Sequence, residues 1–297
     1  MRTWELYKNG NYTVKINTRN GTKIRETEDD DFRPEFAENV DVMTSTVCDH
    51  GCAFCYAECS KDGKHANLMD WKFLDTLHPY TEMALNLNWP MPPNFIEFLE
   101  KLKSKNVIAN ITVNQDHFEK HSEFIKSLID QKLIYGMGIS LVEATDNFID
   151  LIKQFPTAII HTINGVTKPA DLEELADHGL KILILGYKDT GRGVEYHENK
   201  KNTIATNQQW MYDNLQWLTN HFNVVSFDNL ALEQLDVKRI LTEEEWNEFY
   251  MGDDGSATFA INLVDGVFSR NSLEKKTYPI MDNIDDMFNV IRKECAA

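Results

Sequence analysis

The sequence predicts an α/β fold built from parallel strands and covering helices, and three observations favour it. Short apolar runs of strand length recur between residues 40 and 228. Between them, apolar residues return at helical spacing, for example at Phe95, Phe98 and Leu102. Strand and helix alternate about six times, which indicates parallel strands with right-handed crossovers. This order is typical of a barrel or a doubly wound sheet, and both place the active site at the carboxyl ends of the strands.

Each element of this repeat can be placed along the chain. The predicted strands are residues 40–47, 83–87, 107–113, 135–141, 157–163, 181–187 and 223–227. Helices are predicted around residues 95–102, 148–155 and 211–222, where one face is apolar. Pro156 ends one of these helices before its strand, and Gly179 suits a helix C-terminus. Residues 39–228 are therefore predicted to form the core domain.

The segment before the core, residues 1–38, has a different character. The dipeptides Asn9-Gly10 and Asn20-Gly21 favour tight hairpin turns, and apolar residues alternate with polar ones between them. A small N-terminal β-meander is predicted here. The acidic run at 26–31 is interpreted as a solvated linker.

The segment after the core, residues 229–297, breaks the strand-helix rhythm. It contains a helical stretch at 242–251, a hairpin pattern that turns at Asp265-Gly266, and an amphipathic helix over 283–295. We predict that this segment forms a C-terminal α+β cap on the core.

Composition and charge limit the partners of the chain. Its 297 residues are 42% apolar and carry a formal net charge of -17. An acidic chain is a poor partner for a phosphate backbone, so binding to nucleic acid is not expected. No apolar stretch has the length of a signal peptide or a membrane span. We expect a cytoplasmic protein without membrane contact.

Four of the five cysteines lie within twelve positions, at Cys48, Cys52, Cys55 and Cys59. A reducing cytosol and the short spacings disfavour disulfides, so the cluster is expected to bind metal. Three kinds of site remain: zinc with Cys59, His50 or His65 as fourth ligand, a closed iron-sulfur cluster with Cys59 as fourth ligand, or a cluster held by three thiolates with one iron left open. The contiguous run directly after a predicted strand favours the open cluster.

The order Cys48-x-x-x-Cys52-x-Phe54-Cys55 resembles the signature of the radical S-adenosylmethionine superfamily, in which an aromatic residue precedes the third cysteine. The resemblance implies a partial (β/α)6 barrel of the TIM type. It also implies that the three cysteines are metal ligands of a 4Fe-4S cluster whose open iron binds S-adenosylmethionine, with Phe54 beside the adenine. Reductive cleavage of this cofactor would yield a 5'-deoxyadenosyl radical that abstracts hydrogen from the substrate.

Members of this family usually carry a Gly-Gly-Glu motif at the end of the second strand, and this chain lacks it. The matching stretch is residues 85–93, LNLNWPMPP, where Pro90 matches the proline that follows the motif. Asn86 and Asn88 alternate with leucines and share a face. They are predicted to accept from the methionine ammonium in place of the glutamate, or alternatively to cap the strand end.

Further cofactor contacts are implied at three later strand ends. Ser140 and His161 are predicted to contact S-adenosylmethionine; the alternatives are a turn residue and a packed core histidine. Ile184, Gly186 and Asp189 form Ile-x-Gly-x-x-Asp, a partial match to the Ile-x-Gly-x-x-Glu motif that supports the adenine in the family.

The loop after the sixth predicted strand carries positive charge in an otherwise acidic chain. Lys188 and Arg192, beside Gly191 and Gly193, indicate either a lid over an anionic substrate group or a mobile loop.

No further cysteine cluster follows residue 60. Electrons are therefore expected from an external one-electron donor of the flavodoxin or ferredoxin type. The predicted substrate is a small molecule or a peptide.

Overall fold

The computed structural model describes residues 4–19 and 21–295 of the chain. The strands in these ranges form two sheets. In chain order the strands are β1 (Trp4–Asn9), β2 (Tyr12–Asn17), β3 (Lys23–Glu26), β4 (Asn39–Met43), β5 (Glu82–Asn86), β6 (Ile108–Asn114), β7 (Gly136–Ser140), β8 (Ala158–Ile163), β9 (Lys181–Leu185), β10 (Val224–Phe227), β11 (Thr258–Asn262), β12 (Val267–Ser269) and β13 (Tyr278–Pro279). The small sheet has the order β1-β2-β3, and the large sheet has the order β10-β9-β8-β7-β6-β5-β4-β11-β12-β13.

Helices lie between and after the strands of the large sheet. They are α1 (Phe95–Ser104), α2 (Gln115–Asp130), α3 (Asp146–Ile152), α4 (Pro169–Leu175), α5 (Arg192–Asp213), α6 (Leu215–His221), α7 (Asn229–Gln234), α8 (Glu243–Phe249) and α9 (Ile284–Cys295). Short 3-10 helices occur at Lys72–Asp75 and Val237–Ile240. No helix in the described ranges is both long and apolar enough to cross a membrane.

All seven strands predicted for the core are present, and they lie side by side in chain order. From β4 to β10 each strand pairs with the next one in parallel. Along these seven strands the order never reverses, whereas a doubly wound sheet reverses at its switch point. The prediction of an α/β fold with a large, mostly parallel sheet is therefore confirmed.

The two faces of the large sheet differ in character because strand residues alternate between them. One face is buried against the helices and includes Val40, Met83, Ala109, Met137 and Ile160. We call the opposite face the polar face. It includes Asn39, Asp41, Glu82, Asn110, Thr112, Ser140 and His161.

Helical spacing predicted the covering elements well, with two differences. The four apolar residues predicted for one face of α1 are buried. The apolar face predicted over 211–222 is buried too, yet it belongs to two helices, since α5 ends at Asp213 and α6 begins at Leu215. Between β4 and β5, residues 44–81 contain a 3-10 helix and no α-helix. This crossover is the segment that carries the four clustered cysteines.

The C-terminal segment joins the large sheet instead of standing apart from it. β11 pairs in parallel with β4, with Ala260 opposite Asp41, and β12 pairs antiparallel with β11 as the predicted hairpin. The two predicted helices correspond to α8 and α9. Phe288 of α9 stacks on Phe259 of β11 with ring centroids 6.1 Å apart. The predicted cap therefore shares its hydrophobic core with the repeat.

The predicted N-terminal meander is present as β1, β2 and β3, although Asn20 of its second turn lies outside the described residues. Ion pairs attach this meander to the large sheet. Glu38, directly before β4, is 2% exposed and pairs with Arg25 at 3.0 Å and with Lys23 at 3.8 Å. Lys23 also pairs with Glu82 at the start of β5, at 2.9 Å. Two cations of the meander thus neutralise two carboxylates at the amino ends of adjacent strands.

We expect Glu38→Gln to lower the free energy of unfolding by about 3–5 kcal/mol, because Arg25 loses its buried carboxylate partner. The matched control is Glu26→Gln, which removes the exposed partner of Lys15 and should cost less than about 1 kcal/mol. Urea unfolding of both variants measures the difference. Equal losses would contradict the assignment of Glu38 as the buried attachment point.

Candidate functional site

The segment that carries the cysteines leaves the large sheet at the carboxyl end of β4, and backbone hydrogen bonds close it at its base. The backbone N of Cys48 donates to the carbonyl of Ser60 at 2.8 Å, and the N of Ser60 donates to the carbonyl of Thr46 at 3.0 Å. We call residues 47–60 the cysteine loop. Its two ends are held side by side, so the residues between them form one closed excursion above the sheet edge.

The four thiols of the cysteine loop lie close enough to influence one another. Cys48 and Cys59 are buried, and Cys52 and Cys55 are half-buried. Burial, followed by the charges of Cys55 and Cys48, raises the pKa of Cys52 to about 11. A hydrogen bond between Cys55 and Cys59 is the largest cause of a lowered pKa at Cys55 and a raised pKa at Cys59. The loop therefore gathers four sulfur donors, two of which are in direct contact.

Arg192, the first residue of α5, braces the cysteine loop. Its Nε donates to the carbonyl of Cys52 at 3.0 Å, its Nη2 to that of Cys59 at 2.9 Å, and its backbone N to that of Cys55 at 3.2 Å. Gly191 permits the approach, since its φ is 54° and a Cβ there would lie 2.4 Å from a carbonyl oxygen of the loop. The segment interpreted from sequence as a lid or a mobile loop is thus packed against the cysteines.

Asn86 and Asn88 share one face at the end of β5, as predicted, and both donate to the carbonyl of Ser45, at 2.7 and 3.3 Å. The Oδ1 of Asn86 accepts from the backbone N of Thr44 at 2.6 Å, which fits the strand-cap interpretation. Nδ2 of Asn88 lies 3.8 Å from Sγ of Cys59. In the described part of the chain, Oδ1 of Asn88 has no hydrogen-bond donor. Asn88 is therefore the asparagine whose oxygen is free to accept from a ligand.

A cluster that the sequence analysis missed ties the cysteine loop to α2. The backbone N of Asp49 donates to the carbonyl of Trp89 at 3.0 Å, and Oδ1 of Asp49 lies 2.6 Å from Nε2 of the buried His117. This contact with His117 is the main cause of the lowered pKa of Asp49. Trp89 stacks on His121 with 4.1 Å between ring centroids. The four-residue spacing of the two histidines was visible in the sequence, but their partners come from distant loops.

Phe54 lies beside α5, where its ring meets that of Tyr196 edge to face at 5.7 Å. The hollow next to it has a volume of about 310 Å³ and is lined by Ala53, Arg192, Glu195, Tyr196, Asn199 and Lys200. A second hollow of about 340 Å³ lies between His65 and Asn94, and its lining contains none of the four clustered cysteines and none of the residues predicted to contact S-adenosylmethionine. The hollow beside Phe54 is thus the one that adjoins the cysteine loop and its aromatic residue.

Ser140, the last residue of β7, and His161, within β8, are paired neighbours on the polar face. The imidazole of His161 lies directly over Gly138, where a Cβ would be 2.1 Å from ring atoms. Burial, followed by the charge of Lys188, lowers the pKa of His161 to about 4, so the ring is neutral at pH 7. Its Nδ1 has no hydrogen-bond partner among the described residues. The two predicted residues together present neutral polar groups on one face.

Asp41, in the middle of β4, was not singled out from the sequence. Its side chain is exposed, yet desolvation is the main cause that raises the pKa of its carboxyl group. The charge of Lys188 lowers this pKa, and the charges of Asp254 and Asp228 raise it. Lys188 also lowers the pKa of Asp228 and of His161, so the same ammonium is near all three groups. The available sequence signal was a carboxylate inside an otherwise apolar strand.

The residues of the Ile-x-Gly-x-x-Asp segment make three separate contacts. Ile184 is buried in the hydrophobic core. The backbone N of Gly186 donates to Oδ1 of Asp228 at 2.8 Å, and a Cβ on Gly186 would lie 2.4 Å from a side chain of α7. Asp189 is exposed and lies 3.4 Å from Nδ1 of His197. Their contact with an adenine stays a prediction.

Comparison with solved structures shows a similarity in fold. No protein-family model and no curated protein sequence matches the chain. Among solved structures, SuiB of Streptococcus suis bound to S-adenosylmethionine is similar, with a TM-score of 0.59 at 12% sequence identity. The match covers 98% of this chain and 89% of the SuiB chain. At this identity the comparison shows a shared fold over almost the entire length.

We expect Arg192→Ala to expose the thiols at the tip of the cysteine loop. The substitution removes two side-chain hydrogen bonds of about 1 kcal/mol each, so local opening of the loop should become roughly thirtyfold more frequent. Iodoacetamide labelling of the metal-free protein, followed by mass spectrometry, measures the rate at Cys52 and Cys55. Lys201→Ala, an exposed position on the same helix that does not line the hollow beside Phe54, is the control. Equal labelling rates in both variants would show that Arg192 does not brace the loop.

We expect Asp41→Asn to raise the melting temperature at neutral pH. Because the folded-state pKa of Asp41 is raised above its ordinary value of 3.8, ionisation of this group costs stability as the pH rises through the folded-state pKa. The advantage of the variant should therefore grow as the pH rises above about 4 and vanish as the pH falls below that value. Calorimetry across this range measures it, with Asp150→Asn on α3 as the control of equal charge. An advantage that does not change with pH would contradict the assignment.

Proposed function

We propose that this chain is a radical S-adenosylmethionine enzyme in which Cys48, Cys52 and Cys55 hold a 4Fe-4S cluster. The observation that carries the proposal is that these thiols lie close together, in the order Cys-x3-Cys-x-Phe-Cys, after the carboxyl end of β4. β4 is the first of the parallel strands β4 to β10. The similarity in fold to a protein bound to S-adenosylmethionine supports it.

The donor set of the cysteine loop fits an iron-sulfur cluster. Thiolate sulfur is the ligand type of such clusters. Within the described ranges, no three His, Cys, Asp or Glu side chains converge on a single metal ion. Ligands of a cubane do not need to converge, because each binds a different iron. The positive charge of Arg192, which helps to lower the pKa of Cys55, offsets part of the negative charge that thiolates would add.

The residues around the loop are proposed to bind and orient S-adenosylmethionine, and the bound cluster would supply the electron for its reductive cleavage to a hydrogen-abstracting radical. Phe54 and the hollow beside it would hold the adenine. Asn88 would accept from the methionine ammonium, while Asn86 positions the strand end that carries it. Ser140 and His161 would provide neutral contacts to the ribose or the carboxylate.

We also propose that the large sheet curves into a partial (β/α)6 barrel with the polar face inside. β4 and β9 are five strands apart, so a flat sheet would separate them by about 24 Å. Lys188, which follows β9, nevertheless influences the pKa of Asp41 on β4 and of His161 on β8. This reach across the sheet favours curvature around a central recess. The recess is the proposed place of the substrate, a small molecule or a peptide.

The proposed reaction needs an electron from outside the chain. The fifth cysteine, Cys295, is exposed at the end of α9 and far along the sequence from the loop, so the chain offers sulfur ligands for one cluster. A flavodoxin or ferredoxin type of donor is therefore the proposed partner. A cytoplasmic location is proposed with it, because the thiols must stay reduced.

A second candidate function is an electron-transfer or structural metal module in which Cys59 closes the site. The contact between Cys59 and Cys55 favours it, since a fourth thiol stands beside the three proposed ligands. A closed cluster would have no open iron for S-adenosylmethionine. The radical enzyme therefore requires that Cys59 does not bind the cluster, whereas the closed module requires Cys59 as a ligand.

We expect each of Cys48→Ala, Cys52→Ala and Cys55→Ala to abolish formation of 5'-deoxyadenosine, because each removes a ligand of the cluster. Cys59→Ala should retain the cluster and its activity. The protein is reconstituted anaerobically with iron and sulfide, reduced with dithionite and supplied with S-adenosylmethionine. Chromatography measures 5'-deoxyadenosine, and chemical analysis measures iron and acid-labile sulfide.

The controls separate the two functions. Loss of iron in Cys59→Ala as complete as in Cys48→Ala would favour the closed module. Zinc without acid-labile sulfide would identify a structural metal site. An intact cluster that yields no 5'-deoxyadenosine above a cluster-free control would overturn the proposed enzyme function.

A further inference from the structure

The outer edge of β1 carries unpaired backbone groups. In the described part of the chain β1 pairs with β2 and with no other strand. Asn9 and Tyr12 flank the two-residue turn of this hairpin and form a hydrogen-bonded pair, so every second residue back along β1 also bonds to β2. The N–H and C=O groups of Trp4, Leu6 and Lys8 therefore point away from β2. Within the described ranges they make no backbone hydrogen bond to another segment.

The side chains of these three outward residues are exposed, and two of them are apolar. Leu6 is 62% exposed and Trp4 is 41% exposed. Proteins usually protect an edge strand with charges, proline or a bulge, because an unprotected apolar edge pairs with other strands. Of the three residues, only Lys8 carries a charge. The edge of β1 is therefore suited to pairing with a further strand.

The order of side chains along β1 fits a second copy of the same strand. In an antiparallel pair with its twofold axis at Leu6, this leucine lies opposite its own copy, and Trp4 lies opposite Lys8 of the second copy. The ammonium then lies beside an indole ring, which is a favourable cation–π contact. On the other face of the pair, Glu5 lies opposite Tyr7. Outward N–H groups also meet outward C=O groups in this register.

Other registers of the same pair are less favourable. An axis at Glu5 places two carboxylates opposite each other, and an axis at Lys8 does the same with two ammonium groups. An axis at Tyr7 places Trp4 opposite the hairpin turn, beyond the end of β1. The register centred on Leu6 therefore avoids opposed like charges and uses the whole edge.

The charge of the meander also permits self-association in an acidic chain. A formal net charge of -17 makes two copies repel each other over most of their surface. Lys23 and Arg25 of the meander neutralise carboxylates at the large sheet. The other charged residues between 4 and 26 are two acids and three bases: Glu5, Glu26, Lys8, Lys15 and Arg19. Two meanders therefore approach each other with little of the repulsion that the whole chain carries.

We infer that two copies of this chain associate through β1, antiparallel about Leu6, so that their meanders form one continuous sheet. The meander is attached at the amino ends of β4 and β5, whereas the cysteine loop leaves the carboxyl end of β4. The association therefore leaves the cysteine loops uncovered, and it does not depend on the proposed enzyme function. One strand edge buries little area, so monomer and dimer should exchange at micromolar concentrations.

Sedimentation velocity at loadings from about 1 to about 100 µM measures this association. The wild-type protein should shift from monomer to dimer as its concentration rises. Leu6→Lys places two ammonium groups on the twofold axis and should weaken the association at least about tenfold. Ile24→Lys is the matched control, because Ile24 is 46% exposed on β3 and shares Lys15 with Leu6 as register neighbour. It makes the same change on the same face, away from the β1 edge, and should leave the association unchanged.

Cross-linking tests the register without relying on the fold of Leu6→Lys. In Leu6→Cys the two introduced thiols face each other, with Cα atoms about 5.5 Å apart, which a disulfide can span. Oxidised glutathione should then join position 6 of one copy to position 6 of the other, and peptide mass spectrometry identifies the link. In Lys8→Cys the introduced thiols lie opposite Trp4, so the corresponding link should not form.

The outcomes are distinct. A wild-type protein that stays monomeric at every loading would overturn the inference and leave the edge to a peptide strand. Unchanged association in a folded Leu6→Lys would overturn it, and so would an equal loss in Ile24→Lys, which would indicate association through the outer face. Equal cross-linking of Lys8→Cys and Leu6→Cys would contradict the register. None of these results bears on formation of 5'-deoxyadenosine, so the enzyme function stands or fails separately.

Discussion

The parallel direction of the strands from β4 to β10, and of β11 beside β4, is the constraint on which the rest of the structure depends. A parallel pair needs a crossover that returns the chain to the same edge, and right-handed crossovers in chain order place the helices on one face. The other face is then free to carry polar residues. The carboxyl ends of all these strands meet at one edge of the sheet, so Cys48, Asn88, Ser140 and Arg192, which lie at or after the ends of four different strands, come to the same edge.

The cysteine loop has no regular secondary structure, so other elements must hold it in shape. A segment of this kind loses conformational entropy on folding without the regular hydrogen bonds of a helix or a strand. Arg192 compensates by binding the carbonyls of the loop, and the contact between Asp49 and His117 anchors the opposite side. Backbone hydrogen bonds close the base of the loop, and Cys52 and Cys55 remain half-buried. This combination suits a site that must receive a cluster and a second ligand.

Charges on the polar face have two different roles, which depend on their height along the strands. At the amino ends, Glu38 and Glu82 are neutralised by Lys23 and Arg25 of the meander, and these pairs join two sheets. In the middle of β4, the carboxylate of Asp41 has no such ion pair among the described residues. Ion-pair partners therefore distinguish the carboxylates that attach the meander from Asp41.

The sequence by itself determined the elements, and it predicted a set of metal ligands. Apolar periodicity located all seven core strands, because alternation and helical spacing are local properties of the chain. The Cys48, Cys52 and Cys55 spacing identified the candidate metal ligands for the same reason. Only the tertiary structure decided that β11 extends the main sheet, that Arg192 serves the cysteine loop and that Asp41 lacks a partner. Each of these depends on strand register and on contacts between residues far apart in sequence, which local pattern does not encode.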